Sequence, residues 1–315
     1  MLSFGLTVLL DGVSYGMILF LISVGLTVTM GLMRVVNLAH GAFAMIGGYV
    51  AGYLTQRGCD FYLAALAAAA ATAALGAATE RTIYRPLYRK GKLAQVLLSI
   101  GLVFVVTGAV SEVFGAFPYP VVFPAYLTRP VDIGFRQYPA YRLFLIASGA
   151  VIALLLWLLL DSSLYGARLR AAVDNPRMAR AVGINVSLLF TSTFTVGCGL
   201  AGLGGALGAG ILSLEPAYAL KYVVLFLVVV IVGGEGSFEG SFVAAMALGI
   251  IDTLGKYFVA EAAAESAKRA GPYHDGPGRC RLWKALVRVG ERHFRPAHPS
   301  SRHSAPPLCD HASAG

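Results

Sequence analysis

The sequence predicts an all-α, polytopic transmembrane helical bundle with about eight membrane segments. Of its 315 residues, 57% are hydrophobic and only 13% are charged, whereas an average soluble domain has about 25% charged residues. Long uncharged runs recur at 12–33, 61–79, 93–111, 143–160 and 181–214. A helix of about 20 apolar residues crosses the hydrocarbon core and makes its backbone hydrogen bonds internally. These runs therefore exclude a soluble enzyme and a disordered chain. They also argue against an outer-membrane barrel, whose strands alternate polar and apolar residues.

Hydrophobic segments follow one another through the first 258 residues. We place eight of them, at 12–33, 37–56, 61–79, 93–114, 142–160, 187–212, 222–234 and 240–258. The seventh is short, and Asp252 and Lys256 interrupt the eighth. Short segments flanked by glycine are typical of broken or re-entrant helices, which need protein around their irregular backbone.

Positive charges in the loops predict the orientation of the bundle. The loops at 80–92 and 161–185, together with Arg34, contain ten Lys and Arg, against six on the opposite side. Because cytoplasmic loops carry the excess of positive charge, these two loops are predicted to be cytoplasmic and the N-terminus external. The proline-rich segment 115–141 then becomes an external loop without helix.

Glycines four residues apart predict close helix packing. The pairs are Gly12/Gly16, Gly48/Gly52 and Gly204/Gly208. In lipid, small residues let two helix backbones approach. Ordinary packing explains such pairs as well as a specialised translocation bundle does.

The charged loop at 161–185 contains the signals of a short helix. Asp174, Asn175 and Pro176 form a helix start, because an Asx residue caps and proline suits the first helical position. Gly183 is a natural stop. The segment is either a docking element for a cytoplasmic partner or a solvated connector.

Polar residues also occur inside apolar sequence. Asn37 and His40 lie at the edge of the second segment. Polar groups in a membrane face the protein interior or a pathway. They are therefore either lining residues of a translocation path, with Gly41 beside them, or interfacial groups with satisfied hydrogen bonds.

The sequence does not support a nucleotide-binding, metal-binding or catalytic site. The glycine strings at 202–208 and 233–241 lack the strand–loop–helix setting and the lysine of nucleotide-binding loops, so we expect no ATP site. The histidines and cysteines near the C-terminus do not have the spacing of a zinc site. We therefore expect no metal, no cofactor and no catalytic group. We also expect no nucleic-acid partner, since the cations lie at the segment ends, where they suit lipid headgroups.

Six blocks of sequence together resemble the permease subunit of bacterial branched-chain amino-acid ATP-binding-cassette (ABC) importers. They are GLT at 25–27, NLAHGAF at 37–43, ERTIYRPL at 80–87, DNPRMARAVGIN at 174–185, FTVGCGLAGLGGALGA at 194–209 and GGEGSFEGSFVAAMALG at 233–249. The resemblance implies a multi-pass subunit of the bacterial inner membrane that is not itself an enzyme. It implies as partners a second permease subunit, identical or homologous, two cytoplasmic ATP-binding subunits and an extracytoplasmic substrate-binding protein.

The resemblance also assigns roles and substrates. The segment that rests on the ATPase would contain the coupling residues Asp174, Asn175, Pro176, Ala179, Gly183, Ile184 and Asn185. Leu, Ile and Val are the expected substrates; relatives import other amino acids, or urea and short amides. An ion-coupled secondary transporter and a membrane-embedded enzyme are the competing classes. A secondary transporter would need inverted repeats and intramembrane carboxylates, and a membrane enzyme would need catalytic groups that converge. Both sets of signals are weak in this sequence.

The composition changes near residue 259. Residues 1–258 are predicted to form the permease domain, whereas 259–315 are rich in charged and turn-forming residues and contain no long apolar run. Members of the family that the chain resembles cross the membrane once more at this point. We expect either a shift of reading frame that replaced the last span, or a genuine disordered extension.

Overall fold

The bundle predicted from the sequence is present in the computed structural model, which describes residues 2–33, 37–87, 91–132, 137–234 and 236–269. The long helices are α1 (Leu2–Met33), α2 (His40–Gln56), α3 (Phe61–Thr79), α5 (Lys92–Phe114), α7 (Ala140–Leu160), α10 (Val186–Gly208), α11 (Tyr218–Gly233) and α12 (Phe238–Arg269). They coincide with the eight predicted segments. The short elements are a π-helical turn (Glu80–Tyr84), α4 (Arg85–Leu87), α6 (Ala125–Thr128), β1 (Pro130–Asp132), β2 (Gln137–Pro139), α8 (Leu164–Asp174) and α9 (Pro176–Ala181).

Within the described residues, six helical stretches are long and apolar enough to cross a membrane. They are Gly5–Gly31, Phe61–Leu87, Leu93–Phe114, Ala140–Leu160, Val186–Gly208 and Phe238–Val259. The other two long helices, α2 and α11, have 17 and 16 residues. Helix α2 is buried along most of its length, as expected of a short segment that depends on surrounding protein.

Two helix boundaries differ from the prediction because a charged side chain is buried there. Helix α1 begins at Leu2, ten residues before the predicted segment, since the Asp11 carboxylate is held within the protein by an ion pair to Arg142. The predicted loop at 80–92 is helical as far as Leu87, and Glu80 at its start is buried. A charge in the sequence therefore does not end either helix.

The prediction that segment 115–141 contains no helix is wrong for one short turn. Helix α6 follows Pro124, and β1 pairs antiparallel with β2 so that Val131 faces Tyr138. The segment is tied to the bundle where the Tyr119 N–H donates to the Leu214 carbonyl at 2.8 Å. Proline at the edge of these elements is compatible with them, because its missing N–H is not needed there.

Helix α10 lies at the centre of the first compact unit, Met1–Leu254, and packs against α1, α2 and α3. Glycines allow these approaches. Gly204 and Gly208 lie against Ile22 and Ile18 of α1, and Gly12 and Gly16 of α1 lie against α12. The packing predicted for these pairs is confirmed. Gly48 likewise lies against the Gly205 carbonyl of α10 and the Leu214 side chain, whereas Gly52 faces the side chains of Tyr119 and Val121.

The predicted domain boundary at 258/259 lies within a continuous helix. Helix α12 runs to Arg269, and the second compact unit begins at Gly255. Residues 270–315, which form most of the predicted tail, lie outside the described residues.

Candidate functional site

The short helix predicted between α7 and α10 is confirmed. The Asn175 side chain accepts a hydrogen bond from the Met178 N–H at 3.1 Å, and Pro176 is the first residue of α9. The helix ends at Ala181, and Gly183, two residues later, has φ +86°, a conformation that costs little only for glycine. The local signals in the sequence therefore predict where this element begins and ends.

A second cap joins α9 to α10. The Asn185 side chain accepts from the Leu188 N–H at 3.1 Å, and so begins α10. The Ile184 N–H donates to the Ala179 carbonyl at 2.9 Å. Residues 174–185 therefore form one compact turn, which we call the coupling segment.

One face of the coupling segment is buried. Ala179 packs in a small core with Leu169 and Ala172 of α8 and Val186 and Leu189 of α10. Ala179 is only 3% exposed. This member of the predicted coupling set can therefore position the segment but cannot itself touch a partner.

The opposite face of the coupling segment is exposed and apolar, with positive charges beside it. Met178 is 65% exposed and Val182 is 75% exposed. Arg177 and Arg180 are exposed next to them. Exposed large apolar side chains flanked by charge are typical of a protein contact surface.

The residues predicted for a translocation path are brought together but lie in the interior. Asn37 is fully buried, and its side-chain oxygen accepts from the Ala39 N–H at 3.1 Å and from the Tyr84 hydroxyl at 2.7 Å. His40 is also buried. The Gly197 carbonyl is near its ring, but neither ring nitrogen has a hydrogen bond of regular geometry within the described residues. Gly41 lies against Ala219 of α11.

Sequence reasoning missed two polar contacts around the π-helical turn, one buried and one exposed. The Thr191 hydroxyl donates to Glu80 Oε2 at 2.7 Å. The Arg85 guanidinium donates to the Ser187 hydroxyl, two residues after the coupling segment. The ERTIYRPL block was a signal for this site, since it places Glu80 directly after a long uncharged run.

A second missed cluster lies where β2 meets α1 and α7. Asp11 forms an ion pair with Arg142 and accepts from the Tyr138 hydroxyl at 2.7 Å. Burial, with the hydrogen bond to Asp11, raises the pKa of Tyr138, so the phenol stays protonated and donates. The cluster ties the β1–β2 hairpin to two helices, although its members are far apart in the sequence.

Comparison with known proteins identifies relatives over most of the chain. The family model described as "Branched-chain amino acid transport system / permease component" matches residues 8–272. The high-affinity branched-chain amino acid transport system permease protein BraD of Pseudomonas aeruginosa is 28% identical over 266 residues, which cover 78% of this chain and 85% of BraD. LivH of Escherichia coli K12, which has the same descriptive name, is 26% identical over 266 residues, covering 79% and 85%. No solved structure matches the chain.

Proposed function

Because the chain belongs to the family of permease components of branched-chain amino acid transport systems, we propose that it is the membrane-spanning permease subunit of an ABC importer. Its task is to carry Leu, Ile and Val across the bacterial inner membrane. The observation that carries this proposal is the coupling segment, which presents an apolar and basic surface outside the bundle while its other face is fixed to α8 and α10.

The exposed face suits docking to an ATP-binding subunit. Met178 and Val182 offer flexible apolar contact area, and Arg177 and Arg180 add charge at its edge. Apolar anchors surrounded by polar groups supply most of the binding energy of protein interfaces. Since the buried face is held by packing and two Asn caps, movement of the partner is transmitted to α10 and not absorbed locally.

The full assembly in this proposal has a second permease subunit, identical or homologous, two cytoplasmic ATP-binding subunits and an extracytoplasmic substrate-binding protein. Energy comes from the ATP-binding subunits, and the permease performs no chemical reaction of its own. Six apolar helices support its placement in the membrane. Asn37, His40 and Gly41 remain our candidates for residues of the translocation path.

A docking experiment tests the coupling segment. Met178→Asp places a charge on the exposed face, whereas Met178→Leu keeps the apolar area and serves as the matched control. We expect Met178→Asp to abolish co-purification with the ATP-binding subunits and stimulation of ATP hydrolysis by the binding protein, while the variant still inserts in the membrane. Equal coupling in both variants would remove this role.

An uptake experiment tests the substrate. The complete system in liposomes should import labelled Leu, Ile and Val only with ATP inside. Excess of another amino acid, urea or a short amide should compete less well than unlabelled leucine. If an ion gradient alone drives uptake by the permease, the secondary-transporter alternative is correct.

We propose separately that residues 259–315 do not belong to the transport domain. The change in composition supports this boundary, whereas α12 continues to Arg269 and the family match to residue 272. If the reading frame has shifted, the DNA read in another frame should give about 20 apolar codons followed by a few basic ones. Stop codons or polar sequence in both other frames would favour a genuine extension.

A further inference from the structure

The π-helical turn Glu80–Tyr84 is connected at one end to the helix that follows the coupling segment. Glu80 accepts from the Thr191 hydroxyl on α10 at 2.7 Å. Arg85, directly after the turn, donates to Ser187 in the first turn of the same helix. Movement of the start of α10 would therefore displace the buried Glu80 side chain, while the exposed Arg85 adds a second contact to the same helix.

The other end of the turn holds the beginning of α2. The Tyr84 hydroxyl donates to the Asn37 side-chain oxygen at 2.7 Å, and the same oxygen accepts from the Ala39 N–H at 3.1 Å. Asn37 thereby fixes the chain immediately before His40, the first residue of α2. Tyr84 and Asn37 are both fully buried, so no water competes for this hydrogen bond.

The turn itself is an element with two possible hydrogen-bond patterns. The Arg85 N–H donates to the Glu80 carbonyl, five residues back, instead of the carbonyl four residues back as in an α-helix. Such π-helical turns are rare, are less favourable than α-helix and occur mainly at functional positions. A change to the α-helical pattern would rotate Tyr84 relative to Glu80 and break one of the two connections.

We propose that this turn is a two-state relay, in which Glu80 and Tyr84 are positioning residues that couple the start of α10 to the start of α2. The relay rests on the proposed function, because its input is movement of the coupling segment on the ATP-binding subunit. Two ligands are coupled when both bias one bistable element. The π-helical turn is that element, and the buried Asn37–His40 region receives its output.

Hydrogen exchange in the assembled transporter tests the relay directly. In the wild type, the ATP analogue AMP-PNP with Mg²⁺ should change amide protection in both 80–87 and 37–43. Tyr84→Phe keeps the ring but removes the hydroxyl, so the change should persist in 80–87 and disappear in 37–43. Thr191→Val should remove both changes, and Thr191→Ser, which keeps the hydroxyl, should restore them.

A matched control lies in the same turn. Thr82 is exposed, and among the described residues its hydroxyl bonds to the Ala78 carbonyl one turn earlier, so Thr82→Ala should behave as the wild type. Tyr84→Phe should lower substrate imported per ATP by about threefold to tenfold, the range that loss of one buried hydrogen bond produces. The apparent affinity for the binding protein should stay unchanged.

The outcomes separate the relay from the proposed function. If Met178→Asp uncouples transport while Tyr84→Phe and Thr191→Val behave as Thr82→Ala does, the relay is wrong and the docking role stands. If the wild-type peptide 37–43 does not respond to AMP-PNP, the relay is also wrong. If Met178→Asp remains fully coupled, the docking role fails whatever the other variants do.

Discussion

Substitution of Gly47 by Ala should weaken the contact between α2 and α10. A methyl group at Gly47 would lie 2.6 Å from the carbonyl carbon of Gly202, where ordinary contacts begin at 3.4 Å. The neighbouring atoms belong to backbone, so the helices must separate by about an ångström. Overpacking of this kind costs about 1–3 kcal/mol, partly offset by the better helix propensity of alanine, about 1 kcal/mol. We expect a net loss of up to ~2 kcal/mol and a fall in melting temperature of up to about 4 °C.

Gly101→Ala in α5 is the matched control, because a methyl group there would meet nothing within 4 Å. Alanine favours the helix more than glycine does, and no steric clash opposes this effect at residue 101. The melting temperature should therefore equal or exceed that of the wild type. The assay follows reaction of a fluorogenic thiol reagent with Cys198, which is buried in α10, in protein with the other cysteines replaced by serine. If Gly47→Ala melts at or above the temperature of Gly101→Ala, the α2–α10 contact is not as close as described.

Three further predictions address the missed cluster, the coupling segment and the absence of a nucleotide loop. Asp11→Asn removes the counter-charge of Arg142 and should lower the free energy of unfolding by about 1–3 kcal/mol, less than for a fully buried pair because Arg142 is partly exposed. Tyr138→Phe should lower it by about 1 kcal/mol. Thermal unfolding measures both effects. Asn175→Ala should destabilise α9 by about 1 kcal/mol and speed amide exchange in 176–181, whereas Asn175→Asp should preserve the cap. The purified chain alone should hydrolyse no ATP, and specific hydrolysis by a contaminant-free preparation would contradict the prediction.

The long helices and the coupling segment could be predicted because their signals are local. A long hydrophobic segment predicts a helix in an apolar environment, and each of the eight predicted segments overlaps one of the long helices. In the coupling segment, Asn175, Pro176 and Gly183 each act on backbone within three residues of themselves. A short-range signal of this kind does not depend on the rest of the fold.

The missed features depend on partners distant in sequence. Asp11 is compatible with a buried helix because Arg142 and Tyr138 reach it, and the Thr191 hydroxyl contributes in the same way at Glu80. A single sequence shows the charge but not its partner. This is why both positions read as the end of an apolar segment, although each lies inside a helix.

The side-chain direction at 178 and 179 is the other part that the sequence left undetermined. Both residues were within the segment expected to dock, yet Met178 faces outward and Ala179 inward. The two directions suit the docking role that we propose for this segment. A docking surface transmits movement only if its opposite face is attached more firmly to the bundle than the partner is to the surface. Ala179 supplies that attachment through close packing against α8 and α10, and its small size lets α9 approach them. Ala179→Asp would therefore disrupt the folding of the segment and would not report on docking alone. Met178→Asp changes only the exposed face, so it is the substitution that tests docking.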